Sequence, residues 1–309
     1  MHAWIITAIL AYFFFAAAAV VDKFILTKKI DRPAVYTVLV SLLGVLVLAI
    51  APILPGELFV LPPSGLAWSF AYGVAFVFAI FYLYRAMRLG EASRVVPIII
   101  SFQPIFILLM AWVLIGETLA PISFLAFLLI LFGAVLISYQ KSTWQVNRKI
   151  FAFSLLAAFF FALNLAGSKF LFDQYGFASP FVWIRIGSVV AAGFFLLSRS
   201  IRQGVWQMIK PKPAGHHQKH GLLLVIVAQA FGAVGVVMVN YAVSIGPVSL
   251  VGALQGLQHM FVFVLTTLIS LMLPRVLSEK ISRSILIQKS IAIIILVSGV
   301  AILALSSTG

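Results

Sequence analysis

AYFFFAAAAVVDKF, residues 11–24, returns as AAFFFALNLAGSKF, residues 157–170. Phe13-Phe14-Phe15-Ala16 stands again as Phe159-Phe160-Phe161-Ala162, and Lys23-Phe24 as Lys169-Phe170. Working outward, Pro33-Ala34-Val35-Tyr36 meets Pro180-Phe181-Val182-Trp183, and Ser41 meets Ser188. Gln103-Pro104-Ile105-Phe106 meets Gln258-His259-Met260-Phe261, Glu117 meets Glu279, and Gly133 meets Gly299. The separation between partners climbs from 146 to 166 residues, and only where the second half has longer connections, at 198–220 and 274–284. Chance matches would not drift in one direction. The sequence therefore reads as two copies of one unit, residues 1–147 and 148–309.

Composition names the solvent. Apolar residues make up 63% of the 309 and charged residues 9%, with a mean hydropathy of +1.18. Soluble domains carry roughly 45–50% apolar and about 25% charged residues, so a water-soluble fold would leave much of this apolar surface outside. Lipid makes the excess harmless. A membrane helix needs about 20 apolar residues. Ten such spans are expected, near Trp4–Leu26, Ala34–Leu54, Leu66–Tyr84, Val95–Ile115, Pro121–Tyr139, Ile150–Phe172, Pro180–Leu197, Gly221–Val243, Val248–Leu273 and Ile285–Leu305. The fold class is thus all-α, an integral membrane protein with five helices per copy. The first segment reads as a span rather than a signal peptide, since no Lys or Arg precedes its long apolar run.

Five is an odd number, so the second copy must enter the membrane from the opposite side. Inverted repeats of this kind build many secondary transporters, whose substrate site lies near the midplane. Charge tests the idea separately. Most of the 21 Lys and Arg residues lie in the connections after spans 1, 3, 5, 7 and 9, and none lies in those after spans 2, 4, 6 and 8. Basic connections stay in the cytoplasm, which puts both termini outside. The two copies are then charged at opposite ends, as inversion requires. The net charge of +14 is explained by the anionic leaflet, not by nucleic acid.

Four motifs in order carry a family resemblance: Tyr84-Arg85-Ala86-Met87-Arg88-Leu89-Gly90-Glu91-Ala92, Gln103-Pro104-Ile105-Phe106, Gly116-Glu117-Thr118-Leu119 and Leu131-Phe132-Gly133-Ala134-Val135. They make the chain similar to the EamA-type transporters of the drug/metabolite transporter superfamily. The resemblance implies ten helices in two inverted halves and a plasma-membrane metabolite carrier. It also implies a cavity lined by helices 1, 3, 4, 6, 8 and 9. The second copy departs from the pattern: His259 replaces the proline, and Leu273–Glu279 stretches the short Gly-Glu turn.

Polar groups inside spans are expensive, and so are the candidates for substrate binding. Arg185, about two turns into span seven, reads as an anchor for an anionic group, with snorkelling to the interface as its structural alternative. Lys23 and Lys169 occupy equivalent places and carry the same pair of readings. Asn164 and Asn240 are donors and acceptors for substrate or for a neighbouring helix. Gln103 and Gln258 recur through the repeat. Gln255, Gln258 and His259 share one face by the i, i+3, i+4 spacing, although a lone histidine is commonly a packed, hydrogen-bonded group. Tyr72 offers a ring for stacking, while Trp4, Trp68 and Tyr84 fit an interfacial aromatic belt. Gly252 and Gly256 form a small-xxx-small pattern that favours close packing over a hinge.

Absences narrow the function. No carboxylate falls near the middle of an expected span, which argues against a cation exporter built on a central Glu. There is no phosphate loop and no HExxH, so ATP hydrolysis and zinc proteolysis are not expected, and neither is a cofactor or metal. The expectation is a non-enzymatic carrier or exporter of small metabolites, carboxylate-bearing or amphipathic ones such as amino acids included. Its partners are a small-molecule substrate and the lipid bilayer, as a monomer or a homodimer. A lipid-type flippase or a non-transporting scaffold is the other reading of the same helices. A reporter fused at Gly215 should be active in the cytoplasm, and one fused after Gly309 outside. A cytoplasmic C-terminal reporter would reverse the orientation and leave the helix count untouched.

Overall fold

Pro33, Pro63 and Pro121 each begin a helix, where their missing N–H is one that no intrahelical partner would have used. Gly116 ends one. Its φ of +67° is a left-handed backbone that few other residues adopt. This lets the Glu117 N–H reach back to the Ala111 carbonyl at 3.1 Å and close the last turn. The Gly116-Glu117 motif is therefore a helix stop. Its second-copy counterpart, Glu279, lies outside the described residues.

The computed structural model describes residues 3–25, 32–44, 46–139, 147–209, 217–272 and 283–306. Among these the regular structure is helical throughout: α1 Ala3–Ile25, α2 Pro33–Leu43, α3 Leu46–Ile50, a 3-10 helix Ala51–Ile53, α4 Pro63–Leu89, α5 Ala92–Ile115, α6 Pro121–Ser138, α7 Arg148–Tyr175, α8 Ala178–Phe195, α9 Arg199–Ile209, α10 His217–Ile245, α11 Val248–Ala253, α12 Gly256–Met272 and α13 Arg283–Ser306. Nine stretches of the described residues are long and apolar enough to span a membrane, with α11 and α12 taken together as one. Large apolar side chains such as Leu109, Trp112, Val113, Phe132 and Ile294 stand outside the packing, as lipid-facing residues should.

Three local expectations change. The second expected span, Ala34–Leu54, is broken into α2, α3 and the 3-10 helix. At Gly44 the backbone tightens, its N–H bonding Ser41 at i−3, and Pro52 withdraws another donor; glycine and proline are the poorest helix formers. The connection after α8 holds the short helix α9, which pure hydropathy reads as a loop. Its Ile201 and Val205, four residues apart, pack on Val35 and Val38 of α2. Trp4 does not join an interfacial belt. Its indole is buried against Gly246, where a Cβ would come within 2.6 Å of the ring.

Packing divides the chain into two compact units that do not follow the sequence halves. One comprises Met1–Lys28, Thr118–Tyr139 and Ala214–Gly309, and the other Lys29–Glu117 and Gln140–Pro213. Each draws helices from both copies. In the first, α1 packs on α10 and α12, and α6 on α13; in the second, α7 packs on α4 and α5, and α8 on α4 and α2.

Residues that the sequence comparison aligns make matching contacts inside their respective units. Phe13 meets Phe261 edge-on in the first unit, with centroids 5.5 Å apart and rings at 86°. Phe159 meets Phe106 in the second, at 5.8 Å and 82°. Likewise Trp4 covers Gly246 and Ile150 covers Gly90. Where α6 crosses α13 the contact is reciprocal. A Cβ on Gly133 would sit 2.8 Å from the Leu296 Cβ, and one on Gly299 would sit 2.8 Å from Ile130. Since 133 faces 296 while 130 faces 299, the two helices run antiparallel.

Gly133→Ala should therefore lower the melting temperature of the purified protein. Its Cβ also meets the Leu296 amide nitrogen at 2.9 Å and the Ala292 carbonyl at 3.0 Å, and neither backbone atom can swing aside. The loss should be of the order of 1–3 kcal/mol typical of overpacking. Gly193→Ala, with open space around its Cβ, should leave stability unchanged or raise it by up to about 1 kcal/mol through helix propensity. Equal melting temperatures for the two variants would refute the crossing.

Candidate functional site

α8 is the most enclosed of the candidate spans, with 61% of its apolar window buried against 22% for Leu286–Leu305. Small residues bring it that deep. A Cβ on Gly73 of α4 would lie 2.6 Å from the Ser188 nitrogen, and one on Gly187 of α8 would lie 2.8 Å from the Phe70 Cα. Two backbones thus cross with no side chain between them. The crossing sets Arg185 of α8 beside Phe76 of α4.

Arg185 is only 9% exposed. Its guanidinium carbon lies 4.9 Å from the centre of the Phe76 ring and 5.4 Å from that of Phe181, one turn back on α8. Both rings offer their negative faces to the cation. Nε is buried without a hydrogen-bond partner, and among the described residues no carboxylate pairs with the group. The Ser41 hydroxyl on α2 and the Ser69 hydroxyl on α4 are buried and unbonded too, and both helices pack on α8. Buried polar groups are nearly always satisfied. Here four in one unit are not, these three and the Arg94 Nε at the start of α5.

The other candidates in this unit are arranged around the same helices. Asn164 of α7 donates its amide to the Tyr72 carbonyl of α4 at 2.9 Å, so its donor ties two helices together. The Tyr72 ring is 4% exposed, stacked on Trp68 at 5.8 Å and 19°, with its edge against Gly167, where no Cβ would fit. Phe76 in turn meets Phe161 of α7 at 6.3 Å. Tyr72, Asn164 and Arg185 are thereby linked through α4. Lys169 pairs with Asp173 one turn on, at 2.8 Å. Gln103 is buried on α5, its amide without a hydrogen bond among the described residues, and no described contact joins it to Arg185.

In the other unit, Asn240 is buried and returns its amide to the Val236 carbonyl of its own helix at 2.8 Å. Gln255, Gln258 and His259 are half-buried. The helix is interrupted there: Gln255 N–H bonds Gly252 and Gln258 N–H bonds Gln255, at 3.2 and 3.1 Å. These i−3 bonds are of the 3-10 kind, which brings Gln255 and Gln258 toward one side at the entry to α12. Gly256, next to the break, packs against Ala134 of α6. The side chain of Lys23 lies outside the described residues.

Reading the sequence alone overlooks Phe76 and Phe181. Phe181 had a visible signal, its i−4 spacing from Arg185, and the pair Phe81–Arg85 repeats that spacing. Phe76 had none, because it meets Arg185 only through the α4–α8 crossing.

Residues 2–139 match the EamA-like transporter family. No curated protein matches the chain. Among solved structures, 23 chains match. One, described only as "Crystal structure of protein", covers 97% of this chain and 96% of its own length with a TM-score of 0.66. Its identity of 18% makes this a likeness of fold alone. The chain is a multi-pass membrane protein whose residues 2–139 match the EamA-like transporter family.

Proposed function

We propose that the protein is a secondary carrier or exporter of small carboxylate-bearing metabolites, amino acids among them, in the plasma membrane, built from two inverted five-helix repeats. The matched contacts Phe13–Phe261 and Phe159–Phe106, with the reciprocal Gly133–Gly299 crossing, support the repeat. One observation carries the substrate class. Arg185 is buried in an apolar span, with two phenyl rings and, among the described residues, no acid as partners. An arginine at the centre of a membrane helix costs about 2.5–3.5 kcal/mol on insertion scales, and the rings offset only part of that.

An incoming carboxylate would complete the arrangement. The planar guanidinium offers it two parallel N–H donors, a geometry that an ammonium cannot copy. The same low-polarity surroundings that make the empty site costly strengthen the filled one. Gln103, buried with an unbonded amide, is read as a second contact. Gln255, Gln258 and His259 are read as substrate-facing within their own unit. Asn164, Asn240, Tyr72 and the lysines keep their proposed roles in shaping the lining, with most of their described donors already in use.

Arg185→Gln should weaken carboxylate uptake into proteoliposomes by about 30-fold or more, since removing one partner of a desolvated charge pair costs about 2 kcal/mol upward. Arg185→Lys should restore only a small part, although the charge is kept. Gln103→Ala and Gln258→Ala should show smaller losses. All four proteins should reach the membrane at normal levels. Full uptake by Arg185→Gln would remove the anion reading and leave the transporter family of residues 2–139 untouched.

A further inference from the structure

Three helix ends meet in the second compact unit, far along the chain from Arg185. α4 ends in Arg85 and Arg88, which share a face at i, i+3. α7 begins at Arg148, capped by Asn147, whose side chain accepts the Lys149 N–H at 3.0 Å. α2 begins at Pro33 and Ala34. Together they wall a cleft of about 580 Å³, with Arg85, Arg88 and Lys149 around it and Phe81 and Phe153 as its apolar side. Among the described residues no carboxylate lines it, and none of the three cations belongs to an ion pair.

Helix stabilisation accounts for only part of this charge. Arg85 and Arg88 suit the negative end of the α4 dipole. Lys149 does the reverse, since it sits in the first turn of α7, where the dipole is already positive and where an acid would be favoured. Neither α2 nor α7 has an acid in its first turn. The cleft thus collects three formal charges and the partial positive charges of two helix starts, against which the described residues set only the partial negative charge of the α4 end. Arg85 is also held in place, its guanidinium carbon 5.0 Å from the Phe153 ring centre and 5.7 Å from that of Phe81. A held arginine loses less conformational freedom when it bonds a ligand than a free one does.

We propose that this cleft binds a phosphoryl group, with Arg85, Arg88 and Lys149 as its donors and the phenyl rings against the organic part of the ligand. A single carboxylate has too few oxygens to satisfy donors converging from α4 and α7. A phosphate monoester or diester presents several acceptor oxygens in different directions, and the volume is that of a small-molecule site. The cleft lies on the basic end of the chain, which the charge distribution assigns to the cytoplasm, where lipid headgroups and soluble metabolites both carry this chemistry. The proposal does not depend on Arg185.

Thermal unfolding of the purified full-length protein tests it in two arms. Inorganic phosphate is compared with sodium chloride at equal ionic strength, and phosphatidylcholine nanodiscs are compared with nanodiscs that also contain phosphatidylglycerol. A ligand of the native state should raise the melting temperature by about 3 °C at near-saturating concentration. The rise should be lost in the Arg88→Gln, Lys149→Gln double variant and kept in Arg202→Gln, whose cation stands on α9 outside the cleft. Phosphate should also slow chemical acetylation of Lys149 in the native protein, a readout that needs no variant. A rise with phosphate identifies a soluble phosphorylated ligand; a rise only with phosphatidylglycerol identifies a headgroup. No rise in either arm, or an equal rise in the double variant, would overturn the assignment.

Discussion

Helices in lipid gain little from hiding apolar surface, because the acyl chains around them are as apolar as leucine. What holds them is close contact, and in this protein close contact depends on glycine. α4 meets α8 at Gly73 and Gly187, α6 meets α13 at Gly133 and Gly299, and α10 receives Trp4 of α1 at Gly246. At each point a single Cβ would meet backbone or a buried ring at 2.6–3.0 Å. The α4–α8 crossing is also what sets Arg185 beside Phe76.

The same solvent explains how polar groups are treated. Hydroxyls and amides within the spans mostly bond locally. Ser101, Ser154, Ser168 and Asn240 each return to a carbonyl four residues back. A few reach further and tie helices together, as the Tyr12 hydroxyl does with the Val251 carbonyl at 2.8 Å, and Asn164 with Tyr72. Against that habit of satisfaction, the unbonded Arg185 Nε and the Ser41 and Ser69 hydroxyls beside its helix stand out, in company with Arg94 Nε, Ser138 Oγ and Thr267 Oγ1 elsewhere. Their helices are too tightly packed to release them to the interface. A group that can neither leave nor find a partner in the protein is suited to a partner that comes and goes.

Charge is handled differently at the helix ends, where water is available. There the basic residues serve topology, and a surplus cation is tolerated because it is hydrated. The cleft formed by α2, α4 and α7 departs from simple hydration because its cations converge, and one of them is held between two phenyl rings. Its chemistry and that of Arg185 are alike in sign and differ in depth.

Much of the fold was legible because hydropathy is a local property. Apolar runs of about 20 residues marked the spans, whereas the two edge-on contacts Phe13–Phe261 and Phe159–Phe106 appear only in the packing. Where the reading fell short, weak or non-local effects decided. The breaks at Gly44 and at Gln255 depend on one or two backbone hydrogen bonds shifting from i−4 to i−3. The helix α9 owes its apolar face to α2, more than 150 residues earlier in the chain. Arg185 could be named as a candidate from its position in a span. Its surroundings could not, since the sequence carries no record of which ring on α4 lies opposite it. Composition and periodicity were enough to choose lipid as the solvent and to divide the chain into spans. The partners of each polar group required the crossings, because at a glycine contact the neighbours are set by how closely two distant backbones approach.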